Sequence, residues 1–101
     1  MTFGEALDRL KANKLVAREG WNGKHMFIFL GFPHVQIYGK NEAGSYEIIE
    51  ARKHFKCNCV NPTLCMKTAQ NTIVVGWLAS QTDMLEKDWI EIEYPAKPDN
   101  E

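Results

Sequence analysis

Apolar residues at Phe3, Ala6, Leu7 and Leu10 recur at helical spacing, with Glu5, Asp8, Arg9 and Lys11 elsewhere on the wheel. In front of them, Thr2-Phe3-Gly4-Glu5 reads as a capping box: the Thr2 hydroxyl can take an orphan backbone N–H, and Glu5 can reach back to the cap. The pattern predicts a helix ending at Asn13-Lys14, then a short strand over Leu15-Val16-Ala17-Arg18. Glu19 to Lys24 breaks the pattern. Asn22-Gly23 is a strong hairpin signal because both residues tolerate positive φ, so Met26-Phe27-Ile28-Phe29-Leu30 is predicted as the partner strand. That run is apolar on both faces, which predicts cover on both sides. Gly31-Phe32-Pro33 closes it.

Val35 to Tyr38 gives a weaker strand pattern, and Lys40 to Ser45 a polar loop. Tyr46 to Lys53 fits a strand or a helix. Residues 54–64 have no clear period and read as an irregular loop. A second hairpin is predicted from Cys65–Thr68, a turn at Ala69-Gln70-Asn71, and Thr72–Val75. Ser80-Gln81-Thr82-Asp83 is another cap signature, with a short helix expected through Lys87. Asp88 to Tyr94 alternates and reads as a final strand, which places Trp89 in the core. The pattern predicts an α+β fold: a small antiparallel sheet with an N-terminal helix and a short second helix near the C-terminus. It gives one domain over 1–94 and a polar tail over 95–101.

The 101 residues allow one small core, so oligomerisation is a plausible further source of burial. A formal net charge of −1 gives no basic face for a nucleic acid polymer. No apolar stretch approaches a membrane span, and the N-terminus does not read as a secretory signal, which makes the cytoplasm the default expectation. Cys57, Cys59 and Cys65 are odd in number and clustered, which does not make a disulfide framework. With His54 they spell H-x2-C-x-C-x5-C, but common structural zinc sites use C-x2–4-C pairs. Reduced cysteines are the preferred reading, with no metal and no cofactor expected.

No P-loop, G-x-G-x-x-G, G-x-S-x-G or H-E-x-x-H motif occurs, and no catalytic residue is assigned. The aromatic residues say more. Trp21 lies within Gly20-Trp21-Asn22-Gly23, and Trp77 follows Gly76. A turn exposes a large indole unless a subunit, the domain's own core or a ligand covers it; packing and base stacking both remain open. Gly20, Gly23 and Gly76 would let backbone approach a partner. Arg18 and Lys24 flank the Trp21 turn and suit phosphate, or are solvated surface cations. Ser80-Gln81-Thr82-Asp83 offers hydroxyls, an amide and free N–H groups at a helix start. Asp83 brings a charge that opposes phosphate there and suits a cap, or an acceptor for a base or ribose.

Three blocks carry a family resemblance: Met1–Leu7; Val16-Ala17-Arg18-Glu19-Gly20-Trp21-Asn22-Gly23-Lys24 with Met26–Phe29; and Met66-Lys67-Thr68-Ala69 with Trp77–Leu85 and Asp88-Trp89. Together they resemble the second type of Thoeris anti-defence protein, a family of small phage-encoded domains. The segment from Pro33 to Leu64 matches only loosely. Cys65 stands where the pattern has an acid, and Gly76 where it commonly has Pro. The resemblance implies a homotetrameric sponge in the cytoplasm of the infected bacterial host. Such a sponge holds the messenger glycocyclic ADP-ribose and, in some members, guanine-containing cyclic dinucleotides of the CBASS pathway in a separate pocket, cleaving neither. It implies a ligand site among Arg18, Trp21, Asn22, Gly23, Lys24, Phe27, Trp77, Ala79, Ser80, Gln81, Thr82 and Asp83. An enzyme degrading the same messenger and a phage protein-interaction module are the alternatives.

Overall fold

A computed structural model describes residues 1–32 and 34–95, without the side chain of Asn22. In chain order the elements are α1 (Phe3–Lys11), β1 (Leu15–Arg18), a 3-10 helix (Glu19–Lys24), β2 (Phe27–Gly31), β3 (Gln36–Lys40), β4 (Tyr46–Glu50), α2 (Ala51–His54), β5 (Thr63–Lys67), β6 (Ile73–Val75), α3 (Gln81–Leu85) and β7 (Trp89–Ile92). The protein is α+β, with the expected N-terminal helix, antiparallel sheet and short helix near the C-terminus. Pro33, expected to close β2, and the tail beyond Pro95 lie outside the described residues. The chain divides into two compact units, Met1–Gly31 with the chain from Thr63, and Phe32–Pro62. The sequence pattern does not mark this division.

In the first unit the capping box forms as predicted. The Glu5 N–H donates to Thr2 Oγ1 at 3.2 Å and the Thr2 N–H to Glu5 Oε1 at 3.0 Å. The hydrogen bond from the Thr2 backbone, with that from its hydroxyl, holds the Glu5 carboxyl below the usual range. Asn13, at φ 63°, ends α1 in the left-handed region, and the Lys14 N–H satisfies the Arg9 carbonyl at 2.9 Å. Five antiparallel strands follow in the order β6-β5-β2-β1-β7. The register sets Val16 against Ile28 and Ile28 against Met66. These three join Ala6 and Leu10 of α1 and the fully buried Trp89 in one core. Trp89 meets the expectation of a core residue, and its Nε1 donates to the Asp83 carbonyl at 2.7 Å.

Strand alternation puts Phe27 and Phe29, with their neighbours Ile73 and Val75, on the other face. Among the described residues of a single chain, cover is complete on only one side of β2. Phe27 and Phe29 are only half-buried, and Ile73 and Val75 are exposed. One helix can lie on one face of so small a sheet.

The predicted Asn22-Gly23 turn is also corrected. β1 and β2 do pair, but a 3-10 helix joins them, and the positive φ falls on His25 at 54°. Inward packing of Trp21 outweighs the local turn preference. β5 begins two residues before the predicted strand, and α3 stops at Leu85, short of Lys87.

The second unit is a two-stranded ribbon, with Tyr38 opposite Ile48, followed by the single turn α2. Its loop is tied by the Asn41 N–H to the Ser45 carbonyl at 2.8 Å and by the Ser45 N–H to Asn41 Oδ1 at 2.9 Å. The ambiguous stretch 46–53 is therefore both things in turn, strand to Glu50 and helix from Ala51. From Phe55 to Pro62 the chain is irregular, as predicted.

Candidate functional site

The end of β1, the 3-10 helix and the α3–β7 segment build one corner of the first unit. Arg18 stands at the last position of β1, opposite Trp89 of β7. Its Nε and Nη2 donate to the two oxygens of Asp88 at 3.0 and 3.3 Å, and its Nη1 to Asp83 Oδ1 at 3.0 Å. The Arg18 side chain is 18% exposed and that of Asp83 14%. Asp88 above all, with Asp83, raises the Arg18 pKa further. Burial pushes the Asp83 carboxyl up, but hydrogen bonds from Ser80 and Arg18 outweigh it and hold the group below the usual range.

This geometry changes the part assigned to Arg18. The sequence reading leaves it facing phosphate or solvent, and the structure gives its guanidinium two carboxylates. An incoming phosphate would meet a cluster with one net negative charge, so Arg18 serves to hold α3 and β7 to the end of β1. Asp88, its bidentate partner, was absent from the predicted site. Asp88-Trp89 is one of the blocks that carry the resemblance, but nothing in the sequence alone pairs Asp88 with Arg18.

Trp21 and Trp77 meet at this corner with ring centroids 6.1 Å apart, edge to face. Each also meets buried Trp89 edge-on, at 5.5 and 6.2 Å. Both are half-buried, so packing claims part of each indole and leaves part open. Gly76 makes the Trp77 position possible. At φ 83° it reverses the chain after β6, and the N–H groups of Gly76 and Trp77 both donate to the Leu64 carbonyl, at 3.0 and 2.7 Å. Gly20 and Gly23 have nothing in the chain near their Cα hydrogens, so any close approach there would be by a partner. Lys24, Ser80, Gln81 and Thr82 are exposed, and Ala79 is half-buried. The α3 cap is closed by a second capping box, the Asp83 N–H to Ser80 Oγ at 3.1 Å and the Ser80 N–H to Asp83 Oδ2 at 3.0 Å. Asp83 is thus a cap and an ion-pair partner at once. The Asn22 side chain lies outside the described residues.

Phe27 is not part of this corner. It lies on the opposite, open face of the sheet, its ring 6.2 Å from that of Phe29. Two hollows of about 410 and 280 Å³ share Phe27, Lys67 and Pro95. The larger also takes in His25 and Glu93, the smaller Phe29 and Tyr94. The Lys67 ammonium donates to the His25 carbonyl at 2.8 Å. An aromatic floor with a cation on its wall, at this size, suits a small polar aromatic ligand. Sequence reasoning missed Lys67, although strand pairing is its signal: Lys67 stands directly across from Phe27.

The zinc quartet considered from sequence is divided between the two units of the chain. Cys65 is buried in β5 of the first unit, and His54 and Cys57 line different cavities of the second. Among the described residues no helix is long and apolar enough to cross a membrane.

Residues 1–92 match the family model of the Thoeris anti-defense 2-like domain. Over 99 residues the chain is 37% identical to Thoeris anti-defense 2 of Bacillus phage SP01, covering 88% of this chain and 91% of that protein.

Proposed function

This chain belongs to the Thoeris anti-defense 2-like family, and from that premise we propose that it is a sponge for a cyclic nucleotide immune messenger, holding it without cleavage. Its coarse role, anti-defence of the phage type, follows from the family itself. The proposal adds the ligand: glycocyclic ADP-ribose, with guanine-containing cyclic dinucleotides of the CBASS pathway at a separate site. It places this work in the cytoplasm of the infected host, by a homotetramer.

The observation that carries the reading is the open-face hollow, lined by Phe27, whose ring could stack on a purine, and by Lys67, which could meet phosphate beside Glu93. Base–aromatic stacking is worth about 1–3 kcal/mol and needs no catalytic group. The indole corner is a second aromatic surface on the other side of the sheet, with exposed Lys24 three residues after Trp21. Two separate aromatic surfaces fit two classes of messenger. Exposed Ile73 and Val75 beside half-buried Phe29 give the open face apolar area that further copies of the chain would cover.

The test is retention. Messenger is incubated with excess protein, unbound material is removed, and the protein is heat-denatured. The released small molecule is then identified by mass spectrometry. Intact messenger in proportion to protein is the expected result. A chemically altered messenger would make the protein an enzyme, and no retained messenger would leave the protein-interaction reading in its place.

A further inference from the structure

Cys57 and Cys59 take no part in the surfaces described above. Both are exposed, and both line one small cavity of about 190 Å³ with Val35, Phe55 and Val60. The chain reaches them through Lys56, whose φ of 56° lies in the left-handed region. The Cys57 N–H donates to the Arg52 carbonyl at 2.9 Å, which ties the first cysteine to α2. In a fully extended chain, residues two apart have Cα atoms about 6.6–6.8 Å from each other. That is the upper edge of the roughly 4.4–6.8 Å that a disulfide spans. The chain is bent rather than extended at Asn58, and both cysteines line the same cavity. His54 lines a different cavity and packs edge-on against Phe55 at 5.2 Å, so it does not complete a metal site with them. Two neighbouring thiols open to solvent are suited to thiol–disulfide exchange.

We propose that Cys57 and Cys59 form a reversible intrachain redox couple, oxidised by a low-molecular-weight disulfide. The thiolate of one cysteine attacks a sulfur of the small disulfide; a mixed disulfide forms and one small thiolate leaves. The thiolate of the other cysteine then attacks the protein sulfur of the mixed disulfide. The Cys57–Cys59 bond forms and the second small thiolate leaves. The two cysteines give up two electrons to the small disulfide and two protons to solvent. The second attack is intramolecular and runs at high effective concentration, so the mixed disulfide does not accumulate. Cys65 stays outside the couple, because it is 3% exposed with its Sγ against the Thr63 carbonyl at 3.7 Å.

The test equilibrates the full chain in glutathione buffers from reducing to oxidising, quenches with acid, and measures intact mass and free thiols. At the oxidising end the expected species is lighter by two hydrogens and carries no glutathione. Its blocked residues map to Cys57 and Cys59, Cys65 reacts with alkylating agent only after unfolding, and dithiothreitol restores the starting mass. Cys57→Ser and Cys59→Ser should each stop with glutathione on the remaining exposed cysteine. The proposal is overturned if the wild type accumulates glutathione on both cysteines, links two copies of the chain, or keeps both thiols free at the oxidising end.

Discussion

The two units differ in what holds them together. The buried apolar side chains, from Ala6 and Leu10 through Ile28 to Trp89, all belong to the first unit. Among the described residues of the second, Gly39 alone is buried, while Tyr38, Tyr46, Ile48 and Phe55 are each at least 60% exposed. The first unit is stabilised by apolar surface withdrawn from water, the second by its ribbon ladder and by short-range ties such as Asn41 to Ser45. Apolar content alone does not reveal this contrast, since the run Tyr46-Glu47-Ile48-Ile49 looks no less strand-like than Leu15–Arg18. A helix that presents a matching face makes the difference, and in the first unit α1 supplies it.

The comparison can be broken most forcefully at Trp89. Trp89→Ala should remove about 3–5 kcal/mol from unfolding free energy, read by denaturant melts, because the indole fills the core of the first unit. Arg18→Ala comes next, at roughly 2–3 kcal/mol, since it leaves two half-buried carboxylates without their partner. The same cluster sets a pH dependence. The folded Asp83 carboxyl lies below its unfolded value, so its ionised form stabilises the fold at neutral pH. That contribution is complete above the unfolded value of about 3.9 and is lost as pH falls through the lower folded value. Asp83→Asn should therefore be less stable at pH 7 and show a flatter acid limb in melts taken from pH 6 downward.

Trp21→Ala sharpens the comparison within the first unit. Two edge-to-face contacts at about 0.5–1.5 kcal/mol each predict a stability loss of about 1–3 kcal/mol. If the open part of the ring stacks on messenger, the folded variant also binds it about five- to 150-fold more weakly. Calorimetric titration beside a thermal melt separates the two effects, and unchanged affinity in the folded variant would make Trp21 purely structural. The smallest effect belongs to the second unit. Ile48→Ala should stay within about 0.5 kcal/mol of wild type, and a loss above about 1 kcal/mol would show that the ribbon has a core of its own.

What could be read from the sequence was local. Thr2–Glu5 and Ser80–Asp83 announced their helices because a capping box involves only four neighbouring residues. The burial of Trp89 followed from strand alternation. The hidden features depend on partners distant in the chain. Arg18 looked like a phosphate ligand because Asp88 is seventy residues away. Lys67 went unnoticed because Phe27, its neighbour in space, belongs to another strand. The 3-10 helix displaced a well-founded Asn-Gly turn because Trp21 had remote indoles to pack against. The resemblance puts Phe27 in one site with Trp21, yet the sheet puts them on opposite faces.

The pairing of Gly31 with Thr63 has a consequence for how such a chain can change. These two residues bound the second unit, and they sit across from each other in adjacent antiparallel strands. The thirty-odd residues between them therefore leave and re-enter the sheet at a single doorway. Loop closure grows only logarithmically with length, so shrinking the passage to a tight turn, or exchanging it for a different module, shifts stability by only about 2 kcal/mol. The segment can thus be exchanged while the sheet keeps its register, and a laboratory graft between Gly31 and Thr63 is the place to begin.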